Sequence, residues 1–108
     1  MSDSSSTGGR SERIAIPLEV RWQDSSGTYR ARTGDLSVGG CFVESSAPVE
    51  LNQRIFFELQ LPTGRNLLLS GEVVHLQPPA GFGVRFHYVN EQARTILAEV
   101  IKYARGME

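Results

Sequence analysis

Thr33-Gly34-Asp35-Leu36-Ser37-Val38-Gly39-Gly40-Cys41-Phe42 is the stretch on which the fold is read. It places a carboxylate, a hydroxyl and a bare backbone close together, at Asp35, Ser37 and Gly40. Such a set suits a tight turn that receives a polar, planar ligand. Asp35 can accept from N–H groups, Ser37 can donate or accept, and Gly40 lets a backbone or a ligand approach without a Cβ clash. The same residues also suit an ordinary Asx-type turn between two strands. Apolar segments with a period of two flank the stretch. Upstream, Tyr29, Ala31 and Thr33 alternate with Arg30 and Arg32, so the two arginines share an outer face. Downstream, residues 41–44 form a short strand closed by Ser45-Ser46-Ala47-Pro48.

The same period extends outward in both directions. Ile14, Ile16, Leu18, Val20 and Trp22 alternate with Ala15, Pro17, Glu19 and Arg21, which predicts a half-buried strand over 14–22. Pro17 has no N–H and favours an edge or a bulge there. Asp24-Ser25-Ser26-Gly27 reads as the turn into the next strand. Toward the C-terminus, strands are predicted over 55–61, 67–76 and 82–88, separated by Pro62-Thr63-Gly64-Arg65-Asn66 and Gln77-Pro78-Pro79-Ala80-Gly81. Gly71 suggests a bulge, and Tyr88 falls on the same face as Phe82, Val84 and Phe86. The period then becomes helical at Ala93, Ile96, Leu97, Val100, Ile101 and Ala104, with Asn90 as N-cap, Lys102 and Arg105 in the last turn and Gly106 as the stop. Six strands joined by hairpin-length turns, then one amphipathic helix, predict an antiparallel β-barrel plugged by a C-terminal α-helix. Residues 1–9 are almost wholly Ser, Thr, Gly and Asp and predict a disordered lead. The domain is expected over 10–106, with the barrel at about 14–88 and the helix at about 91–104.

Composition narrows the function. A chain of 108 residues, 40% hydrophobic and 21% charged, is one globular domain by size. A formal net charge of -1 provides no global attraction for nucleic acid or anionic lipid, so an anion site must be a local cluster. The single cysteine, Cys41, excludes an internal disulfide and lies in an apolar run, where a buried thiol is expected. No apolar run approaches the roughly 18 residues of a membrane span, and the N-terminus has no apolar signal region, so a cytoplasmic protein without membrane insertion is expected. His75 and His87 are too isolated to suggest a metal pair and read as surface histidines; Ser37 has no histidine near it in sequence. Phosphate-loop and dinucleotide motifs are absent, and no catalytic residue is expected.

Asp35-Leu36-Ser37-Val38-Gly39-Gly40 resembles the DxSxxG motif of PilZ domains. The likeness extends from about Arg10 to Tyr88, through the hairpin ahead of the motif and a final strand reading Gly81-Phe82-Gly83-Val84-Arg85-Phe86. The family's second signature, RxxxR, falls just before the first strand. Arg13 matches its second arginine, Gly9 stands at the first, and Arg10 is one position on. The resemblance implies a six-stranded barrel that binds cyclic di-GMP without chemistry and relays it to bacterial motility, adhesion or exopolysaccharide machinery. The implied ligand residues are Arg10, Arg13, Asp35, Ser37, Gly39 and Gly40, with Arg30, Arg32 and Arg85 as outer-face supports; no metal and no further cofactor is implied. An arginine fork suits guanine O6 and N7 or a phosphate. The partners implied are cyclic di-GMP and a downstream protein, in a monomer or dimer. Gly9 keeps a second reading open: an interaction module, for instance of type IV pilus assembly, that does not bind the nucleotide.

Overall fold

A computed structural model describes residues 12–106. Six strands close into an antiparallel barrel: β1 (Glu19–Asp24), β2 (Gly27–Leu36), β3 (Gly40–Glu44), β4 (Arg54–Gln60), β5 (Asn66–Gln77) and β6 (Gly81–His87). Around the barrel the order is β1-β2-β3-β6-β5-β4, with β4 pairing back to β1. Helix α1 (Glu91–Arg105) follows. This is the fold class predicted above.

Alternation decides which face each strand buries. Val20, Trp22, Val43, Ile55, Phe57, Leu59, Leu69, Val73, Phe82 and Val84 point into the barrel. They form one core with Ala93, Leu97, Val100, Ile101 and Ala104 of α1, so the helix supplies part of the barrel's own core. Trp22 is the largest fully buried side chain, stacked on Tyr29 at 4.3 Å and edge-on to Phe82 at 5.3 Å. The helix begins as expected: the Asn90 side chain accepts from the Ala93 N–H at 2.8 Å. The β1–β2 turn is an Asx turn in which Asp24 Oδ1 accepts from both the N–H and the hydroxyl of Ser26.

Three local expectations are corrected. The strand predicted over 14–22 starts only at Glu19; before it, Ile14 forms one isolated bridge with Leu36. Pro17 cannot donate to a ladder. The lead is strapped instead by Thr33, whose hydroxyl accepts from the Leu18 N–H at 2.9 Å and donates to the Ile16 carbonyl at 2.6 Å. The bulge suggested at Gly71 lies at Val74, where the register slips between Val73 and His75. Gly71 pairs regularly, and it is glycine because a Cβ there would press against the Arg85 carbonyl. Tyr88 does not continue the inward face: the strand ends at His87, and Tyr88 sits at φ 53 with 92% of its surface exposed as the chain turns toward α1.

Candidate ligand-binding site

The site begins with how the lead is held. Ile14 and Leu36 exchange both backbone hydrogen bonds, at 3.0 and 2.9 Å. Together with the Thr33 strap, this pins residue 13 beside β2. The Arg13 guanidinium then donates to Asp35 Oδ1 at 2.7 Å. Asp35 faces outward because the register shifts between Thr33 and Asp35, and Leu36 returns to the core. The pair is open to solvent, with side-chain exposures of 51% and 36%. An exposed pair of this kind adds only about 0–1 kcal/mol to stability. Its groups remain accessible to a ligand. Glu12 makes a second ion pair with Arg105 at the end of α1, tying the same lead to the helix.

The turn after Asp35 is built from its own residues. Ser37 is 2% exposed. Its hydroxyl accepts from the N–H groups of Gly39 and Gly40, at 3.2 and 3.1 Å, and donates to the Gly40 carbonyl. The role left to Ser37 here is to brace the turn. Gly40 is buried, and a Cβ on it would collide with the Val84 carbonyl of β6. The bare backbone at this position therefore serves the approach of β3 to β6. Gly39 is exposed, and its carbonyl accepts from the Phe86 N–H at 2.9 Å.

The remaining sequence-derived residues divide into two places. Arg30 and Arg32 line an open groove of about 530 Å³ on the outer wall of β1 to β5, among Glu19, Arg21, Glu44 and Glu58. The groove's lining includes none of Arg13, Asp35, Ser37, Gly39 or Gly40. Arg85 stands on the other side of Asp35, directly opposite Gly40 across the β3–β6 ladder. Its guanidinium lies 3.1 Å from Glu72 Oε1. His87, read from sequence as a surface histidine, is half-buried, and its Nε2 lies 2.8 Å from the same oxygen. Sequence alone does not pair Glu72 with His87, because they sit on different strands. Their positions on the outward face of two predicted strands were the available signal. Arg10 lies outside the described residues.

Cys41 lies under the site, fully buried. Burial, and then the Asp35 charge, push its thiol up to about 12. The thiol is therefore neutral at physiological pH, and the folded chain is expected to resist alkylation at pH 8. Iodoacetamide labelling followed by mass spectrometry checks this: labelling should be slow until denaturant is added, and rapid native labelling would contradict the burial. Among the described residues, no group of three His, Cys, Asp or Glu comes together to hold a metal ion.

Fold and site together define a small antiparallel barrel domain with an open Arg–Asp pair on its outer wall, next to a turn that ends in two glycines. The PilZ domain model matches residues 9–103, and the chain belongs to that family. Solved structures share the fold. The inhibitor of motility of Bacillus subtilis matches with a TM-score of 0.78 and 13% identity, over 92% of this chain and 51% of that one, so this chain spans about half its length. The PilZ domain of YcgR from Escherichia coli, solved with c-di-GMP, matches with a TM-score of 0.75 and 18% identity, over 91% of this chain and 92% of that one. The PilZ domain of CeSA, from a cellulose-synthesizing bacterium, matches with a TM-score of 0.65 and 24% identity, over 89% and 97%. No curated protein matches the chain in sequence. No helix among the described residues is long and apolar enough to cross a membrane.

Proposed function

We propose that this domain is a cyclic di-GMP receptor that acts without chemistry and relays the second messenger through a protein partner in the cytoplasm. The observation that carries the reading is the Arg13–Asp35 pair, 2.7 Å apart and open to solvent at the start of the DxSxxG turn. Asp35 accepts from the N–H groups of a guanine edge, and Arg13 clamps a phosphate or stacks on a purine face. Ser37 holds the turn that presents Gly39 and Gly40, and Arg10 adds a second fork from the lead. Ser37 spends its hydroxyl on backbone groups of its own turn, and no base stands among those partners. The YcgR domain that shares the fold was solved with c-di-GMP. By analogy with its structural neighbours, whose names refer to motility and to cellulose synthesis, the output falls among motility, adhesion or exopolysaccharide machinery. The second reading, a protein-interaction module that does not bind the nucleotide, is favoured by one observation: Gly9 stands where RxxxR has its first arginine.

Gly9→Arg separates the two readings. It restores RxxxR spacing and adds a planar fork toward the same anion. One charge-assisted contact, less the cost of ordering a long side chain, is expected to tighten cyclic di-GMP binding about three- to tenfold. The gain should shrink as salt rises, because the contact is electrostatic. Titration calorimetry of this variant and the parent chain at two ionic strengths is the check. Saturable binding by the parent supports the receptor. A parent that stays silent, with the variant silent too, supports the interaction module.

A further inference from the structure

The outer wall beyond Asp35 carries a row of residues that the DxSxxG turn does not explain. Gly40 on β3 stands opposite Arg85 on β6, Arg85 opposite Glu72 on β5, and Glu72 opposite Arg54 on β4. Asp35 pairs with Phe42, which places it diagonally across from Gly40. From the strand of Asp35 to that of Arg85 is two strand spacings, about 10 Å. No side chain rises between them at Gly40. The Gly39 carbonyl, bonded to the Phe86 N–H, locks the turn to β6 beside Arg85. A ligand held at Arg13 and Asp35 and lying over the two glycines would meet Arg85 on the next strand.

Arg85 is already engaged. Its guanidinium is paired with Glu72 Oε1, and the same oxygen takes His87 Nε2. A carboxylate only accepts, so Nε2 carries the proton in this contact. The two donors, His87 first and then Arg85, hold the Glu72 carboxyl below its ordinary value, so it is ionised at neutral pH. The Arg85 side chain is 65% exposed, and the pair is correspondingly weak. A phosphodiester offers the same guanidinium a charged partner of similar geometry. Glu72 would not be stranded by the exchange, because His87 still donates to it and Arg54 faces it from β4.

We propose that Glu72 is the resident competitor for Arg85 at the nucleotide site: a phosphate of the ligand takes Arg85 from it, and His87 retains the released carboxylate. This rests on the cyclic di-GMP reading above and adds two residues to it, Glu72 and His87, neither of which touches the ligand. They are positioning residues that set what Arg85 costs the ligand to recruit.

The test is a double-mutant cycle on the full chain, with cyclic di-GMP titrated by calorimetry into the parent, Glu72→Gln, Arg85→Ala and the double variant. Glu72→Gln is expected to tighten binding about two- to fivefold, the strength of an exposed ion pair no longer opposed. Arg85→Ala is expected to weaken binding about tenfold. In the Arg85→Ala background, Glu72→Gln should change nothing, which a general effect on the barrel would not reproduce. Circular dichroism melts verify that each variant is folded, and Glu72→Ala repeats the arm if Glu72→Gln is not. Binding by the parent with no tightening in Glu72→Gln, or equal tightening with and without Arg85, overturns the competitor and leaves the receptor standing. Absence of binding in both the parent and Glu72→Gln overturns both. Binding in Glu72→Gln alone supports the competitor in its strongest form.

Discussion

Arg13→Ala and Asp35→Ala are each expected to weaken cyclic di-GMP binding by more than tenfold while leaving the melting temperature close to that of the parent chain. The two halves of this expectation have separate causes. Binding falls because each variant removes a charge-assisted contact, which costs about 1.5–3 kcal/mol in a complex. Stability holds because the Arg13–Asp35 pair is exposed on both sides, and such pairs contribute about 0–1 kcal/mol. Neither side chain fills core, and neither leaves a buried charge behind. The lead keeps its backbone bonds to Leu36 and Thr33 in both variants. Calorimetry measures the first half and a thermal melt the second. Unchanged affinity in both variants would remove the pair from the site. A large fall in melting temperature would show that the pair holds the lead in place.

Gly40→Ala is expected to do the reverse. A Cβ at this position meets the Val84 carbonyl of the neighbouring strand, a backbone atom that cannot rotate away. The β3–β6 ladder must open at the turn, as in other overpacked sites, at a cost of about 1–3 kcal/mol. For a domain of this size, each kcal/mol lowers the melting temperature by about 4–8 °C. The ligand-free melt should therefore fall by about 5–20 °C, before any question of binding arises. A variant that melts with the parent would show that the two strands are not held this closely. The contrast matters because the DxSxxG glycine reads in sequence as clearance for a ligand. Here its first function is to let two strands of the barrel meet.

On β1, β4 and β6 the inward face was legible from the period-two pattern alone. Val20, Trp22, Ile55, Phe57, Leu59, Phe82 and Val84 all point inward as the alternation predicts. The helix was legible at both ends, because Asn90 and the 3.6-residue period specify a cap and a face with few competing readings. Where a strand begins was not legible, since alternation continues through Ile14 and Leu18 although those residues lie outside the ladder. A side-chain hydroxyl on another strand, Thr33, replaces the missing backbone partners. Tyr88 was misplaced for a related reason: its left-handed backbone breaks the face, and nothing in its residue type announces that. Asp35 was legible as an outward polar residue of the turn, and its bond to Arg13 shows where the lead meets it. Arg85 was legible only as an outward arginine. Its engagement with Glu72, which His87 shares, depends on the pairing of β5 with β6, which no local pattern encodes. The division of Arg30 and Arg32 from Arg85 likewise follows from barrel closure, which turns one outward face into several walls.

The most direct test of the account is a calorimetric titration of the full parent chain with cyclic di-GMP at low salt, alongside the Arg13→Ala variant. Saturable binding by the parent is expected, weakened more than tenfold in the variant, with both proteins melting cooperatively at nearly the same temperature. No saturable binding to a parent chain that is folded and melts cooperatively would contradict it.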